Sequence, residues 1–128
     1  MREAIRTEAA PAPFQGAPYS QAIKANGFVF VSGQLALVPG AKEIVPGGIA
    51  EQTEQVLTNL RAILEAAGSS FEQIVKTTVF LQNLDDFAGM NEVYARHIGD
   101  VPPARSTVEV AKLPSGALVE IEAVALTG

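Results

Sequence analysis

The spacing of apolar residues changes along the chain and predicts alternating strands and helices. Residues 27–35 form a short apolar run bounded by glycine, which predicts a buried strand. From Ile49 to Ala67 apolar residues recur at spacings of three and four, which predicts an amphipathic helix that ends at Gly68. Alternation and β-branched residues over residues 73–82 predict a second strand.

The next segment predicts a second helix. Asp85 or Asp86 is expected to cap it, and Gly99 and Pro102 are expected to end it. Its apolar face is predicted to carry Phe87, Met90, Asn91, Tyr94, His97 and Ile98.

Two further strands are predicted at residues 104–111 and 118–126, where polar and apolar positions alternate. The short segment KLPSG between them favours an antiparallel hairpin. Residues 8–25, which are rich in proline, glycine and alanine, predict an extended lead-in. The order of elements therefore predicts one α+β domain over residues 1–128, with two helices covering one face of a sheet.

Composition narrows the classes of function. The chain has no cysteine, which excludes disulfides, thiolate nucleophiles and zinc–thiolate sites, and its one histidine suggests no metal site. A net charge of −5 and scattered lysines argue against a nucleic-acid partner. No apolar run reaches the length of a membrane span or a signal peptide, so we expect a cytoplasmic protein without a membrane contact.

Charged residues interrupt the last two predicted strands. Alternation places Arg105 with Thr107 on one face of the first strand, and Glu120 with Glu122 on one face of the second. Because the small apolar set of the last strand should pack under the helices, we expect Arg105 and Glu120 on the opposite face. That face also carries apolar residues, which predicts self-association with Arg105 near the boundary between subunits.

A structural ion pair is the simplest alternative for Arg105, since such pairs are common and weakly stabilising. Two features favour a site instead. Pro102 and Pro103 fix the chain where Arg105 enters its strand, and two acids on the same predicted face leave one carboxylate free for proton transfer.

The segment PPARSTVEVAKLPSGALVEIEA contains Pro-Ala-Arg, a spaced apolar strand, and an apolar residue followed by Glu-x-Glu. This pattern resembles the C-terminal signature of the Rid (YjgF-type) family, the reactive-intermediate deaminases, also called L-PSP endoribonucleases. The segments APYSQA, VSGQL, EAAG, IVKTTVFL and DDFAGMNEVY resemble the same family in its usual order. The resemblance covers nearly the whole chain.

The resemblance implies a chorismate-mutase-like α+β fold in a homotrimeric barrel, with three sites between subunits. It also implies hydrolysis of 2-aminoacrylate or 2-iminobutyrate to a 2-keto acid and ammonia, with no cofactor. Two alternatives stay open: a non-enzymatic, small-carboxylate-binding or chaperone-like trimer, and an endoribonuclease.

The resemblance also implies roles for eight residues. Arg105 would bind the substrate carboxylate, and Glu120 would position and polarise a water molecule. The other six would contact the substrate or shape the cleft, and they are Tyr19, Ser32, Gly33, Phe87, Asn91 and Thr107. At Thr107 the chain departs from many family members, which carry cysteine there.

Overall fold

A computed structural model describes all 128 residues and contains six strands and two long helices. The strands are β1 (Glu3–Ile5), β2 (Ala22–Ala25), β3 (Phe28–Gln34), β4 (Ile74–Leu81), β5 (Ala104–Glu109) and β6 (Val119–Leu126). The helices are α1 (Ile49–Ala66) and α2 (Phe87–His97). The predicted helices and the four predicted strands are confirmed, whereas β1 and β2 lie within or before the segment predicted only as extended.

The ends of the helices follow the sequence signals in part. Gly68, directly after the C-cap of α1, has a φ of 79°, which favours glycine at a helix end. Asp86 occupies the N-cap position of α2, as predicted, but its side chain makes no capping hydrogen bond. In the preceding turn Asn83 Oδ1 instead accepts the N–H of Asp85 at 2.8 Å.

The six strands form one mixed sheet in the order β1-β2-β3-β6-β4-β5. β6 runs antiparallel to both β3 and β4, and β5 lies at the edge, parallel to β4. The predicted hairpin between the last two strands is therefore wrong, because β4 lies between them.

The connection from β5 to β6 explains why no hairpin forms. It crosses the end of β4, where Gln82 holds it by main-chain and side-chain hydrogen bonds. The Gln82 N–H donates to Leu118 O at 3.0 Å, and Gln82 Oε1 accepts the Leu113 N–H at 2.8 Å. This span is much longer than the two-residue loop of a tight hairpin.

One face of the sheet carries the core and the other has no helix on it. The buried residues of α1, including Leu57, Leu60 and Ile63, pack with the inward residues of β6, of which Ile121 is fully buried. On the helix-free face Phe30 and Leu126 remain 47% and 42% exposed. Both helices therefore cover the same face, as predicted. Neither is long and apolar enough to cross a bilayer.

The strand register places Arg105 on the helix-covered face. Arg105 lies beside Thr77 of β4, a residue only 1% exposed beneath α2, whereas Glu120 lies beside Phe80. Thr77 and Phe80 are three positions apart, so their side chains project to opposite faces. The prediction that Arg105 and Glu120 share a face is therefore wrong. The alternation within each strand is confirmed. The prediction fails because it assumes that the small apolar residues of both strands pack under the helices, whereas in β5 the face with Arg105 and Thr107 does so.

Candidate active site

The guanidinium of Arg105 packs against two aromatic rings of α2. Its Cζ lies 4.9 Å from the centre of the Tyr94 ring and 5.6 Å from that of Phe87. The two aromatic residues are two helical turns apart and so lie on the same face of the helix. Such rings attract a cation without neutralising it.

Arg105 has no acidic partner within its own chain. The two ion pairs of the structure join Arg96 to Glu92 and His97 to Glu54. The alternative of an ion pair between Arg105 and a neighbouring strand glutamate is therefore wrong for the single chain. A half-buried, unpaired guanidinium is suited to binding an anionic ligand.

Two buried polar atoms lie on the elements that carry Arg105. Thr107 shares the face of Arg105 on β5, and its Oγ1 is buried without a hydrogen-bond partner. Asn91 lies between Phe87 and Tyr94 on the face of α2, and its Oδ1 is equally unpartnered. A buried polar atom without a partner costs about 1–3 kcal/mol, so both atoms favour a bound polar group.

We call Arg105, Thr107, Phe87, Asn91 and Tyr94 the arginine half-site. Four of these five residues were predicted as site residues from the sequence. Tyr94 was placed on the correct helix face but was not recognised as part of the site. Its spacing of seven residues from Phe87 is the signal that could have identified it.

Glu120 lies on the opposite face of the sheet, directly against Gly33 of β3. A Cβ atom on Gly33 would lie 2.8 Å from Glu120 Cδ and closer still to one carboxylate oxygen, so only glycine leaves room for this side chain. The register between β3 and β6 shifts between Val31 and Gln34, the stretch that contains Ser32 and Gly33. Such irregularities often re-aim side chains next to binding sites.

A pocket of about 430 Å³ opens over Glu120 and contains four of the predicted site residues. Glu120, Ser32, Gly33 and Tyr19 line it, and we call them the glutamate half-site. Tyr19 is 42% exposed, and its hydroxyl accepts the Phe14 N–H at 2.6 Å, which fixes the ring at the rim. The Ser32 hydroxyl donates to Ser20 O at 2.6 Å.

The environment of Glu120 raises the pKa of its carboxyl group. Burial raises the pKa of the Glu120 carboxyl above its ordinary value of 4.5, and the negative charge of Glu122 raises it further. A carboxyl group with a raised pKa can hold and transfer a proton closer to neutral pH.

A larger open groove of about 750 Å³ lies beside Tyr19 and is lined by Arg6, Glu8 and neighbouring residues of the N-terminal segment. Tyr19 is the only predicted site residue that it shares with the Glu120 pocket. The smaller pocket, which contains Glu120, is therefore the candidate site for the chemical step.

The two half-sites cannot contact one small molecule within a single chain. Arg105 and Glu120 are separated by β4 and by three residues along the strands. These offsets amount to roughly 10 Å across the sheet and roughly 10 Å along it, before the side chains diverge to opposite faces. Each chain thus presents two separate groups of candidate site residues.

Comparison with known proteins assigns the chain to a family. The family described as endoribonuclease L-PSP has a model that matches residues 7–127. The chain belongs to the endoribonuclease L-PSP family. The resemblance to Rid (YjgF-type) proteins inferred from the C-terminal signature is thereby confirmed.

Individual members of the L-PSP family match over nearly their full length. The chain is 54% identical over 125 residues to a RutC family protein of Pyrococcus horikoshii, covering 98% of each. It is 44% identical over 128 residues to a protein of Mus musculus named 2-iminobutanoate/2-iminopropanoate deaminase, covering 100% of this chain and 93% of that protein. The crystal structure of E. coli TdcF with bound serine superposes with a TM-score of 0.90 at 40% identity, covering 98% and 99% of the two chains.

Proposed function

We propose that the protein hydrolyses short 2-imine and 2-enamine acids, such as 2-iminobutyrate and 2-aminoacrylate, to 2-keto acids and ammonia. The observation that carries the proposal is the unpaired Arg105 guanidinium held against the rings of α2. It offers two parallel N–H donors to a substrate carboxylate. The activity in the name of the Mus musculus relative supports the same reaction.

The proposed site forms between copies of the chain. Association would bring the arginine half-site of one protomer over the glutamate half-site of another, and the family resemblance points to a homotrimer. The helix-free sheet face supports self-association, because Phe30, Val108 and Leu126 are all more than 40% exposed there. Covering this face would remove apolar surface from water, which favours association.

In the proposed reaction Arg105 fixes the carboxylate of the substrate, and Thr107 Oγ1, which has no partner in the chain, can donate to the same group. This orientation would place the imine carbon next to the glutamate half-site of the neighbouring protomer. Fixing the substrate and the water in one geometry supplies much of the rate enhancement that a reactive imine needs.

Glu120 would act as the general base and general acid of the hydrolysis. It accepts a proton from a water molecule, whose oxygen bonds to the imine carbon while the C=N electron pair moves to nitrogen. Glu120 returns this proton to the nitrogen, which gives a neutral carbinolamine. A second proton then moves from the carbinolamine hydroxyl through Glu120 to the nitrogen, the O–H electron pair forms the carbonyl, and the C–N electron pair leaves with ammonia. Proton transfer of this kind by a positioned acid–base group contributes about 10²–10⁴-fold to a rate.

The direct test is release of ammonia and keto acid from freshly generated 2-iminobutyrate. We expect Arg105→Ala to reduce the rate strongly, whereas Arg96→Ala, which changes an exposed arginine of α2, should leave it unchanged. Equal rates for wild type and Arg105→Ala would reject the proposal. Carboxylate binding without acceleration would support the non-enzymatic alternative, and RNA cleavage by a nuclease-free preparation would support the endoribonuclease.

A further inference from the structure

We propose that Tyr94 is a positioning residue that holds the Arg105 guanidinium in the orientation that binds a carboxylate. The inference rests on the carboxylate-binding role proposed for Arg105. Its starting point is the short separation of 4.9 Å between the guanidinium carbon and the centre of the Tyr94 ring. Tyr94 makes no proposed contact with the substrate and acts only through Arg105.

Tyr94 is itself fixed by the strand next to Arg105. Its hydroxyl lies 2.7 Å from Thr77 Oγ1, and the two residues are only 6% and 1% exposed. Thr77 is also the residue of β4 that lies beside Arg105 in the register of the sheet. The arginine backbone and the ring beneath its guanidinium are therefore both tied to the same position of β4.

The contacts among Thr77, Tyr94 and Arg105 restrict the Arg105 side chain, which would otherwise be free to move. Arg105 has no ion pair in its chain, and a free arginine loses considerable rotamer entropy when it binds a ligand. Two-point recognition of a carboxylate also requires the guanidinium plane to be aimed correctly. A fixed ring against the cation reduces the rotamer entropy that Arg105 loses on binding. It also orients the guanidinium plane before the ligand arrives.

The contact from Phe87 is weaker and does not replace that of Tyr94. Phe87 lies 5.6 Å from the guanidinium and is 42% exposed, and no buried hydrogen bond can fix a phenylalanine ring. The buried hydrogen bond to Thr77 thus makes the Tyr94 ring, and not the Phe87 ring, the fixed contact of Arg105. For packing alone, phenylalanine and valine would fill the two positions without two polar groups to satisfy.

Three variants test the role with increasing severity. Thr77→Val and Tyr94→Phe each remove one hydroxyl and so break the hydrogen bond between these residues, but keep the shape of the side chain. Tyr94→Leu removes the aromatic ring. We expect the KM for 2-iminobutyrate and the Kd for 2-oxobutyrate to rise about two- to threefold in the first two variants and about three- to tenfold in Tyr94→Leu. In all three, kcat should stay within about twofold of wild type, since no group that transfers a proton has changed.

Phe71→Leu is a matched control, because Arg61 lies 4.2 Å above the Phe71 ring in a similar contact away from both half-sites. This buried substitution should lower Tm while leaving KM and Kd unchanged. If a Tyr94→Leu variant fails to fold, Tyr94→Phe and Thr77→Val still carry the test.

A double-mutant cycle separates positioning from general damage to the fold. In an Arg105→Ala background, Tyr94→Leu should cause no further rise in the Kd for 2-oxobutyrate. Additive effects, or an unchanged KM and Kd in the folded variants, would overturn the positioning role. A wild-type protein that releases no ammonia would instead overturn the proposed function, whereas an active wild type with unaffected Tyr94 variants overturns this inference alone.

Discussion

Arg105 and Glu120 lie on opposite faces of the same sheet, with β4 between the strands that carry them. The arginine packs under α2, and the glutamate fills the space left by Gly33 on the helix-free side. A single chain therefore carries two half-sites, each with a different chemical capability. In the proposed assembly every complete site needs two protomers.

Mixing two inactive variants should restore activity. Arg105→Ala keeps the glutamate half-site, and Glu120→Gln keeps the arginine half-site. If the two proteins are unfolded together and refolded as mixed oligomers, about a quarter of the sites should combine two intact halves, because protomers pair at random. Ammonia release from 2-iminobutyrate should then recover to about a quarter of the wild-type rate.

The control for this experiment mixes the same folded variants without unfolding, which should restore little activity if the oligomers exchange slowly. Light scattering of the wild type should give three times the 13.4 kDa mass of the chain. A monomer in solution, or no recovery in mixed oligomers, would argue against a site between protomers.

Gly33→Ala should disable the site while sparing the fold. The new methyl group would occupy the position of the Glu120 carboxylate and push that side chain aside. A displacement of about 1 Å can cost about 10²-fold in rate, so kcat/KM should fall about 10- to 100-fold. Circular dichroism and Tm should change little, since Gly33 does not have a positive φ.

Gly99→Ala is the matched control, because a Cβ there would meet only an ordinary contact of 4.0 Å to Glu72 Cγ. Full activity in Gly33→Ala would mean that the position of Glu120 against Gly33 has no functional role.

The acid limb of the pH–rate profile should depend on Glu122. Burial and then the charge of Glu122 raise the pKa of Glu120. In Glu122→Gln the second cause is removed, so the pKa of Glu120 should fall and its ionised, proton-accepting form should persist to lower pH. The acid limb of kcat/KM should therefore shift to lower pH, measured as initial rates across a buffer series.

Glu43→Gln, which changes an exposed glutamate outside both half-sites, should leave that profile in place. A shift to higher pH in Glu122→Gln would be opposite in sign to the electrostatic argument and would remove Glu120 as the titrating group.

Asn59 should be important for stability. It is fully buried in α1, and its Nδ2 donates to the main-chain oxygens of Leu35 and Leu37 at 3.1 and 2.8 Å. Asn59→Ala removes both hydrogen bonds. Leu35 O still accepts the Leu37 N–H, whereas Leu37 O loses its side-chain donor, so we expect the free energy of unfolding to fall by about 1–3 kcal/mol. Urea denaturation followed by circular dichroism measures this loss.

Thr53→Val in the same helix should have the opposite effect. Thr53 Oγ1 is buried without a hydrogen-bond partner, and valine keeps its shape. Replacing an unsatisfied hydroxyl by a methyl group should stabilise the protein by about 1 kcal/mol. If both variants had the same stability as wild type, the buried hydrogen bonds of α1 would have little energetic role.

The sequence predicted local structure well and long-range pairing poorly. The helices and the four main strands follow from apolar periodicity, because period and burial are linked within one element. The placement of β6 between β3 and β4 depends on contacts far apart in the chain, including those of Gln82. No periodicity within the last two strands reveals that another strand separates them.

For the candidate site too, the sequence predicted local features better than contacts between distant segments. The motif resemblance implies site roles for eight residues, and the structure places four of them on each side of the sheet. Tyr94 was missed because an aromatic residue on an apolar helix face is usually core. Its contact with Arg105 depends on a parallel pairing of β5 with β4 that was not predicted.

Thr107 gives the proposed site a chemical property that the cysteine implied by the family resemblance would not have. A cysteine at this position could be oxidised to a sulfenic acid or a mixed disulfide, and either product would block a neighbouring carboxylate site. The threonine hydroxyl undergoes neither reaction, and the chain contains no thiol at all. The site can therefore not be switched off by hydrogen peroxide or disulfide exchange through a thiol.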